Sequence, residues 1–162
     1  RNFKKCLIRM FDQTDQECVF TELAMNLDKA PRAYVECVPL RRAVAANAPM
    51  YFKKALQECE DEFEAQNKAV IDTRGAKRLS AKLPRGMPYF AVDFGLQGGF
   101  AHVIENERKF PRTFGLDILA GLLRVHPDIV HRERSAIDVE RRLAEAFKAS
   151  FEPFDWTKAL HT

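Results

Sequence analysis

Histidine, cysteine, clustered glycine and clustered lysine or arginine are the residues in this chain whose types and spacing could do chemistry. The stretch DFGLQGGFAHVI sets Gly95, Gly98 and Gly99 just ahead of His102. Such a pairing would suit a phosphate cradle backed by a general base, because glycine lets backbone N–H groups approach phosphate and imidazole titrates near neutral pH. The spacing argues for something simpler. A dinucleotide loop needs a helix after its glycines, and here another β-type run follows. Asp93-Phe94-Gly95 spells part of a kinase signature, but no Gly-rich loop, strand lysine or catalytic loop accompanies it. The three glycines therefore read as a hairpin loop at positions of positive φ, and His102 as a strand histidine that packs or hydrogen-bonds.

The remaining candidates are weaker as catalysts and stronger as contacts. His126 and His131 flank Pro127 and cannot share one helical face, so they do not suggest a metal site. Cys6, Cys18, Cys37 and Cys59 form no C-x-x-C and no close cysteine–histidine pair. They read as reduced, buried thiols of an intracellular protein, with neither zinc nor a disulfide framework signalled, and no cofactor is expected. Arg74, Lys77, Arg78, Lys82 and Arg85 fall in a stretch whose one acid is Asp72. Cations on a loop can reach phosphates, and Tyr89, Phe110 and Phe114 are aromatic neighbours that could stack on unpaired bases. A merely solvated surface is the competing interpretation.

The elements that must position these residues follow from periodicity. Phe3, Leu7, Ile8, Met10 and Phe11 repeat at helical spacing, Cys18–Leu23 and Ala33–Val38 are β-type runs, and Pro39 closes the second. From Pro49 to about Lys68 the apolar positions Phe52, Leu56 and Phe63 follow a helical period, with Pro49 in the first turn and an acidic, solvated face. A basic loop-rich connector runs to Arg85. Pro88–Phe94 and Phe100–Ile104 pair as a hairpin, Thr113–Val125 is an apolar helix, and Ser135 opens a last helix with a capping-box-like Asp138.

The whole chain of 162 residues is 46% hydrophobic, enough for a real core. Its 26 basic and 23 acidic residues leave a net charge of +3, too slight to name a partner. No apolar run approaches the ~18–20 residues that cross a membrane. The opening RNFKKCLIRMF has no initiator methionine, does not resemble a signal peptide and starts inside an apparent helix, so a piece of a longer protein is expected.

Five stretches taken in order, NFKKCLIRMF, YVECVPL, APMYFKKAL with its acidic continuation, PRGMPYFAVDFGLQGGFAHVIENERKFPRTFG and FEPFDW, resemble the C-terminal region of the CwfJ-like family of spliceosome-associated proteins. They look closest to the branch found in intron-lariat spliceosomes. The resemblance implies an α+β fold. Residues 1–45 would be the C-terminal half of a degenerate HIT-like (histidine triad) α/β domain, its first half missing ahead of Arg1. Residues 46–162 would be the family's second C-terminal domain, a β-hairpin sheet packed by helices. Half a HIT-like sheet standing alone would leave an open strand edge and apolar surface.

The three histidines of an active HIT strand fall, by the same resemblance, on Arg32, Tyr34 and Glu36. A phenol is a poor substitute for an imidazole nucleophile, and a carboxylate repels phosphate. The resemblance thus implies a non-catalytic, nuclear module binding spliceosomal RNA or the intron lariat, spliceosome proteins and the lariat debranching enzyme, without membrane association. It would assist lariat debranching and spliceosome disassembly. The alternatives are a nucleotide phosphoesterase rebuilt around His102 and a pure protein adaptor using the Phe151–Trp156 tail as an aromatic anchor.

Overall fold

The amphipathic start of the chain forms helix α1 (Asn2–Asp12), which buries Cys6 and Met10, in a computed structural model that describes residues 1–29, 32–63, 70–75, 79–130 and 135–160. Strands β1 (Gln16–Ala24) and β2 (Ala33–Arg41) follow and pair antiparallel, with Phe20 opposite Cys37 and Thr21 opposite Glu36. Two helices come next, the short α2 (Arg42–Ala45) and α3 (Ala48–Phe63), with Pro49 in the first turn of α3 as its fixed φ favours.

The rest of the sheet comes from β3 (Ile71–Asp72), β4 (Tyr89–Phe94) and β5 (Gly99–Val103). The spatial order is β2-β1-β4-β5-β3, and every pairing is antiparallel. The fold is α+β, with the expected β4–β5 hairpin inside a larger sheet. β1 is an interior strand, since one of its edges takes β2 and the other takes β4. One antiparallel sheet thus takes strands from both sides of residue 45.

Alternation then divides the side chains between two faces. Val19, Phe90, Val92 and Phe100 point to the face covered by α3 and by α4 (Phe114–Leu123), where Phe52, Leu56, Phe110, Phe114 and Leu119 complete the main core. Rings interlock across this layer: Phe52 lies 6.3 Å from Phe90, and Phe90 meets Phe114 edge-on at 5.1 Å. Cys18, Phe20 and Glu22 point to the opposite face, where α1 packs. There Lys4 Nζ sits 2.7 Å from Asp93 Oδ2 and 4.9 Å from the Phe20 ring centroid. Helix α5 (Ile137–Phe151) and the tail lie outside α1, with Phe151 and Trp156 packed on Phe3 at 6.3 and 5.6 Å.

Several expectations need correction. Pro39 does not end β2, which continues to Arg41; β2 lies at the sheet edge, where a missing N–H faces outward and costs no ladder bond. The basic connector hides a strand, because β3 pairs with β5 through only two residues. Ser135 does not cap α5: the N-cap is Ala136, without a side-chain capping bond. Gly95 and Gly98 have φ of 61° and 80°, as a tight hairpin requires, but Gly99 has no positive φ. It is glycine for closeness, since a methyl there would overlap the Val92 carbonyl and approach the Phe94 ring at 2.9 Å.

Candidate functional site

The hairpin fixes His102 on β5 opposite Phe90, facing the main core. It is 0% exposed and stacks on Phe110 at 6.3 Å. His102 therefore packs rather than faces a ligand in solvent. Phe110 and Phe114, read from the sequence as base-stacking candidates, are likewise core residues. Tyr89 is half-buried and its hydroxyl donates to Glu22 Oε1 at 2.6 Å. Burial first, and then this bond to a carboxylate, push the Tyr89 phenol well above its ordinary pKa. None of the three rings stands free to stack on a base.

Tyr34 and Glu36 share one face of the edge strand β2, and Arg32 immediately precedes it. Tyr34 is 66% exposed, Arg32 is exposed, and Glu36 is half-buried. Thr21, across the ladder, donates its hydroxyl to Glu36 Oε2 at 3.4 Å. The next step inward is closed by α4, where a Cβ on Gly115 would stand 2.7 Å from the Thr21 methyl. Three strand spacings, roughly 14 Å, separate β2 from β5, so His102 lies far from these positions.

At the opposite sheet edge, β3 leads into the basic segment. Arg74 is exposed, its guanidinium held against Asp72 and 5.7 Å over the Phe100 ring. The Arg74 side chain, and then its backbone N–H, hold the Asp72 carboxyl at about 2, with the positive charges of Arg74 and Lys82 adding to the shift. Lys82 and Arg85 are exposed; Lys77 and Arg78 lie outside the described residues. Arg74 thus brings less free charge than its sequence neighbourhood suggests, since composition does not show which acid folds onto which base. Among the described residues no group of three or more histidine, cysteine or acidic side chains could hold a metal ion, and no helix is long and apolar enough to cross a membrane.

A further surface escaped the sequence reading. The apolar positions Leu143 and Phe147 of α5 are 59% and 48% exposed, and Ile137 is 79% exposed. Their i, i+4 spacing is legible, but periodicity alone does not reveal that these side chains stay exposed among the described residues. The tail aromatics read as an external anchor instead dock on α1 through Phe3.

Comparison with known families matches residues 1–53 to a family described as similar to the CwfJ C-terminal and residues 62–157 to one described as similar to CwfJ C-terminus 2. The chain is 45% identical over 158 residues to CWF19-like protein 2 of Danio rerio, covering 97% of this chain and 16% of that protein. It is 41% identical to CWF19-like protein 2 of Homo sapiens, again over 97% of this chain and 17% of the relative. To pre-mRNA-splicing factor cwf19 of Schizosaccharomyces pombe it is 31% identical, over 99% of this chain and 26% of that protein. The chain thus spans about a sixth to a quarter of these curated relatives. With its amino-terminal strands matching one of the paired models and the β4–β5 hairpin and both later helices matching the other, the chain belongs to the family of proteins similar to the CwfJ C-terminus.

Proposed function

We propose that this chain is a non-catalytic RNA- and protein-binding module of a nuclear pre-mRNA splicing factor, acting in the intron-lariat spliceosome to assist debranching and disassembly. The observation that carries the splicing role is the 31% identity to a named pre-mRNA-splicing factor over 99% of this chain. The lariat stage, the debranching enzyme as partner and the nuclear location rest on the family resemblance.

The non-catalytic reading draws on chemistry at the triad positions. Arg32 and Tyr34 lack an imidazole, and Glu36 offers phosphate a negative charge beside Thr21. A phosphoesterase rebuilt around His102 would need that ring to reach substrate, and it is 0% exposed. Hydrolysis of a nucleotide or a branched RNA by the full-length protein, abolished in His102→Ala, would overturn this reading.

RNA contact falls to the basic segment of Arg74, Lys77, Arg78, Lys82 and Arg85, with Lys82 and Arg85 supplying exposed charge beside the β3 edge. The test is RNA crosslinking with mass spectrometry on purified spliceosomes carrying the full-length protein. Charge reversal of all five residues is expected to remove crosslinks in this segment; unchanged crosslinking would remove it from the model. A pure adaptor is the second reading, and the exposed α5 stripe favours it. It predicts protein crosslinks at Leu143 and Phe147 and none to RNA.

A further inference from the structure

Helix α3 has two sides. Ala48, Phe52 and Leu56 are buried in the main core, while Met50, Tyr51 and Ala55, offset from them by helical spacing, form one wall of an open groove of about 540 Å³. Ile118 and Gly121 of α4 form the other wall, and Ala55 and Ile118, both half-buried, pack against the core beneath. Met50 is 64% exposed and Tyr51 41%. An adaptable thioether and a ring with a polar tip are side chains that protein interfaces favour.

Two features select the occupant. Gly121 lies in the last turn of α4, where glycine weakens a helix. It has no positive φ, and a methyl built on it would meet no atom within 4 Å. Neither backbone conformation nor packing among the described residues explains this glycine; room for another backbone to come close does. The second feature is charge. Lys54 and Glu58 pair at 3.6 Å on the rim, too exposed for the pair to be worth much. Glu60, Asp61 and Glu62 follow before α3 ends at Phe63, with no basic residue in its last turn. Helical spacing sets positions 61 and 62 one turn beyond Glu58, in line with the groove. Acidic residues at that end meet the negative pole of the helix dipole, an arrangement that a cation relieves.

We infer that the groove receives an amphipathic helix of a partner protein, apolar along one face and followed by lysine or arginine. The apolar face lies on Met50, Tyr51 and Ile118, the partner's backbone approaches at Gly121, and its basic residues extend over Glu58 toward positions 61 and 62. Laying the apolar face of a helix into a hydrophobic groove is a recurrent mode of recognition. RNA is a poor occupant, because the acidic end of the groove repels phosphate. The segment from Arg74 to Arg85 carries the opposite sign, so the chain offers two chemically distinct surfaces.

The test is fluorescence polarisation of a fluorescein-labelled peptide of roughly 16 residues, with leucines at helical spacing along one face and lysines in its last turn, titrated with the full-length protein. A twin peptide with glutamates in place of the lysines is the control. Expected is saturable binding of the lysine peptide, at least roughly tenfold tighter than the twin and weakening as salt rises. Gly121→Gln, which fills the groove with a good helix former, is expected to weaken that binding at least roughly tenfold. Its melting temperature should stay at or above that of the parent protein, which separates lost binding from lost folding. Glu58→Lys, a change at an exposed position, is expected to narrow the preference for the lysine peptide several-fold. No saturable binding, equal binding of the two peptides, or binding indifferent to Gly121→Gln would each overturn the proposal. So would a concentration-dependent dimer of the full-length protein that Gly121→Gln abolishes, since a second copy would then be the occupant. The peptides need neither RNA nor a spliceosome, so their outcome is separate from that of the splicing role.

Discussion

At the scale of single residues, side-chain chemistry was legible and its partners were not. The fork of Arg74 lies on both carboxylate oxygens of Asp72, with Nε 3.0 Å from each. That contact holds Asp72 at about 2, against an ordinary value of 3.8. A depressed carboxylate contributes stability above its ordinary pKa and loses it as pH falls toward the folded value. The Asp72 resonance in a carboxyl NMR titration is therefore expected to have a midpoint near 2 and to move back toward 3.8 in Arg74→Gln. A midpoint indifferent to that substitution would show that the pair does not persist in solution. Gly99 raises a different question of residue identity. Its position in a glycine cluster suggested a need for positive φ, yet the need is for space against Val92 and Phe94. Gly99→Ala should cost ~2 kcal/mol or more in denaturant unfolding, since the clash is with backbone that cannot move aside. Gly95→Ala instead places a methyl in open space and strains φ alone, so its cost should be smaller, about 1 kcal/mol.

At the scale of elements, the long periodic segments were readable and the short ones were not. Helices α1 and α3 and the β4–β5 hairpin follow from strong apolar patterns. β3 has only two residues, too few for any alternation to register, and it exists because β5 offers it an edge. Pro39 looked like a strand terminator because a proline blocks a central ladder, but position at an edge lifts that restriction. Helix α5 was read from its start signal, and Ile137 and Leu143 on it prove to be turned outward. Leu143→Ser should therefore change the stability of the chain by no more than about 0.5 kcal/mol, as for other surface positions. Phe151→Ala, which removes a ring packed on Phe3, should cost more. Equal losses in a thermal melt would mean that the stripe is covered within the molecule after all.

At the scale of the whole molecule, one sheet and one main core tie together segments matched by two family models. Phe52 makes the point through its contacts. It lies within the first matched range and reaches from α3 to Phe90 and Phe94 on β4, in the second, at 6.3 and 6.0 Å, and it is fully buried. Phe52→Ala should cost about 3–5 kcal/mol, because the cavity opens where helix and sheet meet. Unfolding followed by Trp156 fluorescence and by far-UV circular dichroism should give coincident transitions, as expected when β1 cannot keep both edges satisfied without β2 and β4. Separated transitions would show that the segments on either side of residue 45 unfold independently.

The sequence by itself determined the element types, the family resemblance and the absence of histidine at Arg32, Tyr34 and Glu36. These depend on local pattern and residue identity, which are written in the chain. Only the tertiary structure decided that β1 joins β4, that His102 and Phe110 are interior, and that Arg74 is held by Asp72. Each is a matter of which distant surfaces meet, and burial and pKa follow from that meeting rather than from the residue alone.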